Sequence, residues 1–143
     1  MSTSDLSLAE YRALADFRYQ IRRFLQFSAK AAREHGLEPQ QHQLLLALKG
    51  LPEDARPTIG EMAERLQILH HSAVELVDRL VERGAVRREP AGADRREVLL
   101  RLTRNGSALL RRLSLAHHNE LEKSGPLLVK ALTTAIRLRK RAA

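Results

Sequence analysis

The sequence predicts a mainly α chain with one small β-hairpin (α+β), and three observations carry that expectation. Apolar residues recur at helical spacing over most of the 143 residues. A short helix with a capping signal, Thr58 to Leu66, is followed almost at once by a second amphipathic run from His70. Beyond Arg83-Gly84, two strand-like stretches, Ala85 to Glu89 and Glu97 to Leu102, flank the turn-rich segment PAGADRR.

Each element follows from local residue choice. Leu8, Tyr11, Leu14, Phe17, Ile21, Phe24, Leu25, Phe27, Ser28 and Ala32 form one stripe, which predicts a single long helix from about Leu6 to His35. Gly36 stops it, and Pro39 opens a second helix, Gln40 to Leu48, closed by Gly50 and Pro52. The loop PEDARP comes next. Thr58 and Glu61 have the spacing of a capping box, in which hydroxyl and carboxylate satisfy each other's free backbone amides. In the following run, Ala73, Leu76, Val77, Leu80 and Val81 share one face. Two short helices with a tight connection describe a helix-turn-helix, and the hairpin after it describes a winged helix. Two further helices are expected, Thr103 to Lys123 and Pro126 to Lys140.

Composition narrows the function classes. Lysine and arginine number 25 against 17 acidic residues, a net charge of +8, which favours a polyanionic partner, nucleic acid before an anionic membrane. No stretch approaches the roughly 20 apolar residues needed to span a bilayer, and MSTSDLSLAEY lacks a signal-peptide pattern, so a soluble cytoplasmic protein with no membrane partner is expected. The absence of cysteine excludes disulfides, thiolate metal sites and thiol redox sensing. No nucleophile elbow, glycine-rich phosphate loop or HExxH pair is present. The expectation is therefore no enzyme, no cofactor and no metal; His117-His118 reads as a surface or interface pair before a metal site. All five aromatic residues, Tyr11, Phe17, Tyr19, Phe24 and Phe27, lie in the first helix, away from the positive charge of the hairpin, which disfavours base stacking on single-stranded nucleic acid.

The stretch LQILHHSAVELVDRLVERGAVRREPAGADRREVLLRLTRNGSALL resembles the MarR family of bacterial regulators. The resemblance rests on VDRL-x-x-RG-x-V and on the pattern D-x-R-x-x-x-L-x-L-T-x-x-G, here Asp94, Arg96, Leu100, Leu102, Thr103 and Gly106. It implies one MarR-like domain over 1–143, with dimerisation helices in 6–36 and 104–143 and a winged helix-turn-helix in 37–103. It also implies a homodimer that sets two winged helices on successive turns of a pseudo-palindromic double-stranded DNA operator and regulates transcription, as a repressor by expectation.

The helical face left outward by Ala73, Leu76, Val77 and Leu80 carries His70, His71, Val74, Glu75 and Asp78, which suits a major groove roughly 12 Å wide. Ser72 and the imidazoles can donate to base edges or phosphates, Glu75 can accept from a cytosine amino group, and Val74 can meet a thymine methyl. Arg95 and Arg96 suit a narrow minor groove, and family analogy has Asp94 orient an arginine by ion pairing. Arg79, Arg87 and Arg88 are phosphate candidates. The bland alternative for each arginine is a solvated surface charge. Leu69 and Gln67 depart from the family pattern, which favours a serine-like cap and a small turn residue there. Tyr11, with Tyr19, Arg22 and His42 as polar neighbours, forms the candidate pocket for a small aromatic or phenolic effector, against the favoured alternative that the aromatic stripe is dimer or domain core. A nonspecific architectural DNA binder and a winged helix used for protein interaction stand as alternatives.

Overall fold

The computed structural model describes residues 5–92 and 94–142, with the side chains of 94–96 and 142 outside the description. The order is α1 (Leu8–Glu34), α2 (Pro39–Lys49), α3 (Ile59–Leu66), α4 (His70–Glu82), β1 (Val86–Ala91), β2 (Asp94–Leu102) and α5 (Arg104–Ala142). Among the described residues, five helices and an antiparallel hairpin bear out the mainly α winged helix-turn-helix. The chain divides into two compact units, residues 1–31 with 115–143, and residues 32–114.

The 32–114 unit has a leucine-rich core. Leu37, Leu44, Leu45, Met62, Val77, Leu80, Leu100 and Leu113 are all fully buried. Three of its helix ends use the same device, in which the two N–H groups after the helix turn back to its last carbonyls. Gly36 donates to Arg33 O and Leu37 to Ala32 O; Gly84 donates to Val81 O and Ala85 to Leu80 O. Both glycines take the required left-handed φ, +77° and +78°. The third case ends α3 on Gln67, at φ 55° and ψ 47°, with Ile68 donating to Ala63 O. A side chain is rare at this φ, and the Gln67 amide compensates by donating to Glu64 O at 2.8 Å.

The hairpin is longer than its sequence suggested. Val86 pairs with Leu102, Arg87 with Arg101, Arg88 with Leu100, Glu89 with Leu99 and Pro90 with Val98, and an irregularity at Pro90/Ala91 leads to the Ala91–Asp94 pairing. The strands therefore take up most of PAGADRR. Pro90 is tolerated because a two-stranded hairpin leaves one edge of each strand open. The loop before α3 adds a bond to the hairpin, Leu100 N–H to Pro57 O at 2.7 Å.

The start of α5 gives a physical reason for the L-T-x-x-G pattern. Thr103 Oγ1 accepts from Gly106 N at 3.0 Å and donates to Gly84 O at 2.6 Å. A Cβ on Gly106 would overlap the carbonyl of Ala85, so only glycine allows the helix to start this close to the end of α4.

The expectation of two C-terminal helices is corrected. One 39-residue helix runs through, with Pro126 inside it. Proline cannot donate to the carbonyl four residues back, yet helical spacing of apolar residues persists on both sides of it. Just before it, the Ser124 hydroxyl donates to Glu120 O at 2.9 Å.

In the unit of 1–31 and 115–143, α1 begins with a reciprocal capping box. Ser7 N donates to Glu10 Oε1 and Glu10 N to Ser7 Oγ, both at 3.1 Å. Arg139 Nη1 meets Glu10 Oε2 at 3.1 Å. These bonds from Ser7 and Arg139 hold the Glu10 carboxyl below its ordinary pKa. His117 Nε2 lies 2.7 Å from Ser28 Oγ, with Phe24 and Phe27 edge-on to its ring. The box expected at Thr58 is only half formed. Glu61 N donates to Thr58 Oγ1 at 3.1 Å, but the Glu61 carboxylate accepts from Arg65 Nε at 2.9 Å.

Candidate nucleic-acid interface

The surface is built on α4, whose inner face buries Ala73, Leu76, Val77 and Leu80, as the periodicity predicts. This leaves His70, His71, Glu75, Asp78 and Arg79 exposed and Ser72 and Val74 half-buried. An open groove between α3 and α4 is lined by Gly60, Glu64, Gln67, Leu69, His70 and Ser72. Leu69 is the N-cap of α4, offers no oxygen, and is 67% exposed. Without a side-chain cap, the first-turn N–H groups of α4 are left to water or to an anionic partner.

The hairpin brings charge beside this helix. Arg87 and Arg88 are exposed, as expected, but both already hold carboxylates. Arg87 Nη2 lies 2.8 Å from Glu89, and Arg88 is paired with Asp78 of α4. Arg101 joins Glu89 from the opposite strand at 3.1 Å, and Arg56 meets Glu97 at 2.8 Å. Asp94, Arg95 and Arg96 have their backbone in β2, while their side chains lie outside the described residues.

Sequence reasoning missed two contacts. Asp78 read as one more outward residue of α4, and its pairing with Arg88 joins elements that only the fold brings together. Arg83 closes the end of α1, donating to Gly36 O at 2.6 Å and His35 O at 3.2 Å. The spacing before Gly84 carried no signal for that contact.

The effector residues divide between the units. Tyr11, Tyr19 and Arg22 are exposed on α1, with the Arg23 guanidinium 5.7 Å from the Tyr19 ring centroid. His42 is buried in α2, in the other unit, with Nδ1 3.4 Å from Gln43 Nε2. The four do not form a site within either unit. His118 meets Glu122 at 3.2 Å, and among the described residues no group of three His, Asp or Glu side chains is placed to hold a metal. No described helix is long and apolar enough to cross a membrane.

Residues 35–97 match the family model described as MarR family. No curated protein matches the chain. Among solved structures, AbsC, a MarR family transcriptional regulator from Streptomyces coelicolor, is 21% identical, with a TM-score of 0.71 over 84% of this chain and 80% of its own. A mutant MarR from E. coli complexed with operator DNA is 23% identical, with a TM-score of 0.65 over 87% and 88%. A MepR mutant from S. aureus bound to an oligodeoxyribonucleotide is 20% identical, with a TM-score of 0.65 over 84% and 82%.

Proposed function

We propose that this chain, with a MarR family winged helix and the fold of solved MarR family regulators, is a sequence-specific double-stranded DNA-binding repressor that works as a homodimer. The observation that carries the reading is α4, which turns His70, His71, Glu75 and Arg79 outward beside a basic hairpin. A helix with one buried face and polar side chains on the other can enter a major groove, where His70, His71, Ser72, Val74 and Glu75 meet base edges. Arg79 is proposed for phosphate, Arg95 and Arg96 for the minor groove, and Asp94 for orienting an arginine.

Dimerisation is supported by the surface of the 1–31 and 115–143 unit, where Leu121, Leu127, Val129, Leu132 and Ile136 of α5 are exposed. A two-fold pair places two α4 helices for half-sites about 34 Å apart or a multiple of that. Modulation by a small aromatic or phenolic effector is a further part of the reading, supported by exposed Tyr11 and Tyr19 and by the family resemblance. Release of DNA on titration with phenolic carboxylates tests it.

Selection from a randomised duplex library tests the main reading. Wild type is expected to enrich a pseudo-palindrome. Salt-sensitive binding without enrichment would indicate an architectural role, and no binding would leave protein interaction as the function.

A further inference from the structure

On the hairpin, Arg88 shares a face with Val86, two residues earlier, and with Leu100, opposite it in register. Val86 and Leu100 are buried. The Arg88 side chain, 37% exposed, therefore leaves the inner face of β1, and its guanidinium ends on Asp78 of α4. On the other face Arg87 and Arg101 stand directly opposite each other, and Glu89 holds both. Like charges in opposed positions destabilise a hairpin, so Glu89 is what permits that pairing. Three arginines of the wing stem are thus held by the protein's own carboxylates.

Asp78 follows Val74 by four residues and Glu75 by three, so it lies on the outward face of α4. A bare carboxylate there would repel phosphates. With Arg88 on it, the charge is balanced and the helix is tied to the first strand of the wing.

We propose that Asp78 is a positioning residue for the wing: through Arg88 it fixes strand β1 to α4, so that reading of DNA by the wing depends on it, and Arg88 makes no phosphate contact. This rests on the DNA-binding reading above. It replaces the assignment of Arg88 as a backbone contact. The two roles predict opposite signs for one substitution. If Arg88 served phosphate, Asp78→Ala would free it and remove a repulsive charge, so binding would tighten and the salt slope would steepen by about one phosphate contact. If Asp78 positions the wing, the same change weakens binding.

The test compares full-length wild type, Asp78→Ala and Asp78→Glu on the randomised duplex library and in salt titrations. Alanine favours helix, so Asp78→Ala is expected to keep α4 folded, and a circular dichroism spectrum matching wild type checks this. Expected for Asp78→Ala is a loss of roughly fivefold per half-site, the scale of an exposed ion pair, with an unchanged salt slope. Base preference should be lost at the outer, wing-contacted positions and kept under α4, a pattern that general destabilisation would not produce. Asp78→Glu, which keeps the carboxylate, should restore most of both. Equal or tighter binding by Asp78→Ala, or uniform loss at all positions, overturns the proposal and leaves DNA binding intact. Absence of any enriched sequence with wild type overturns the DNA-binding reading itself, and this inference with it.

Discussion

In the unit of residues 32–114, large side chains such as Leu44, Leu45, Met62, Leu80, Leu100 and Leu113 have no solvent exposure. In the unit of 1–31 and 115–143, the buried positions are small or polar, Ala13, Ala31, Ala131, Ser28 and Glu10, while Leu8, Leu14, Leu25, Leu127, Val129 and Ile136 stay exposed. The first unit has a complete core in one chain. The second has apolar stripes that one chain does not cover, and exposed apolar surface of that extent marks an interaction site. On the reading proposed above, the winged helix is the part that folds by itself, and the long helices are the part that takes another copy.

Substitutions that act on one unit and spare the other test this contrast. The largest effect is expected from Val129→Glu, which would bury an uncompensated charge in the proposed dimer, at about 3–5 kcal/mol. The dimer dissociation constant, read by sedimentation, should rise by two orders of magnitude or more, while the 32–114 unit stays folded. A dimer of unchanged strength would break the contrast. Next is Gly106→Ala. Its Cβ has no room against Ala85 O, and overpacking of this kind costs about 3 kcal/mol or more, measurable as a lower denaturant midpoint that does not depend on protein concentration.

Thr103→Ala should cost about 1–2 kcal/mol, since it removes the cap of α5 and leaves the Gly84 carbonyl without its hydroxyl donor. Loss of this size in chemical denaturation, with the dimer constant unchanged, is the expected outcome.

The smallest effect concerns Glu10, in the other unit. Its folded pKa lies below the ordinary 4.5, so the ionised carboxylate stabilises the fold above that pH. This contribution disappears as pH falls through the lowered value. Glu10→Gln should therefore unfold at a lower temperature than wild type near neutrality, and the two curves should converge in acid. A gap that persists at low pH would contradict the pairing with Arg139.

Helix-scale structure was legible because it depends on local periodicity. The apolar spacing of α4, the capping threonine of α3 and the stops at Gly36 and Gly84 all act within a few residues. Pro126 misled because a proline usually ends a helix, whereas here the loss of one donor is outweighed by a stripe that continues past it. Turn residues misled at PAGADRR, where strand pairing extends almost to Gly92. At the start of α1, Ser7 and Glu10 had the same spacing as Thr58 and Glu61, and it is the former pair that closes the full box.

The candidate surface was legible as a set of outward residues on α4, but its charge pairing was not. Arg87 and Arg88 are adjacent in sequence and point to opposite faces of β1, one to Glu89 and the other to Asp78. Only the hairpin register decides which carboxylate each one meets. The same holds for Gln67, whose left-handed backbone is stabilised by its own side chain, so the absence of glycine there does not prevent the turn.

The most direct measurement is the mass of the complex on the enriched duplex and on a single half-site, for wild type and Val129→Glu. The account predicts two wild-type chains on the full site, and a folded Val129→Glu chain that binds a half-site weakly and alone. A wild-type complex holding one chain on the full site, with affinity unchanged by Val129→Glu, would contradict the division between a winged helix that reads DNA and long helices that pair the chains.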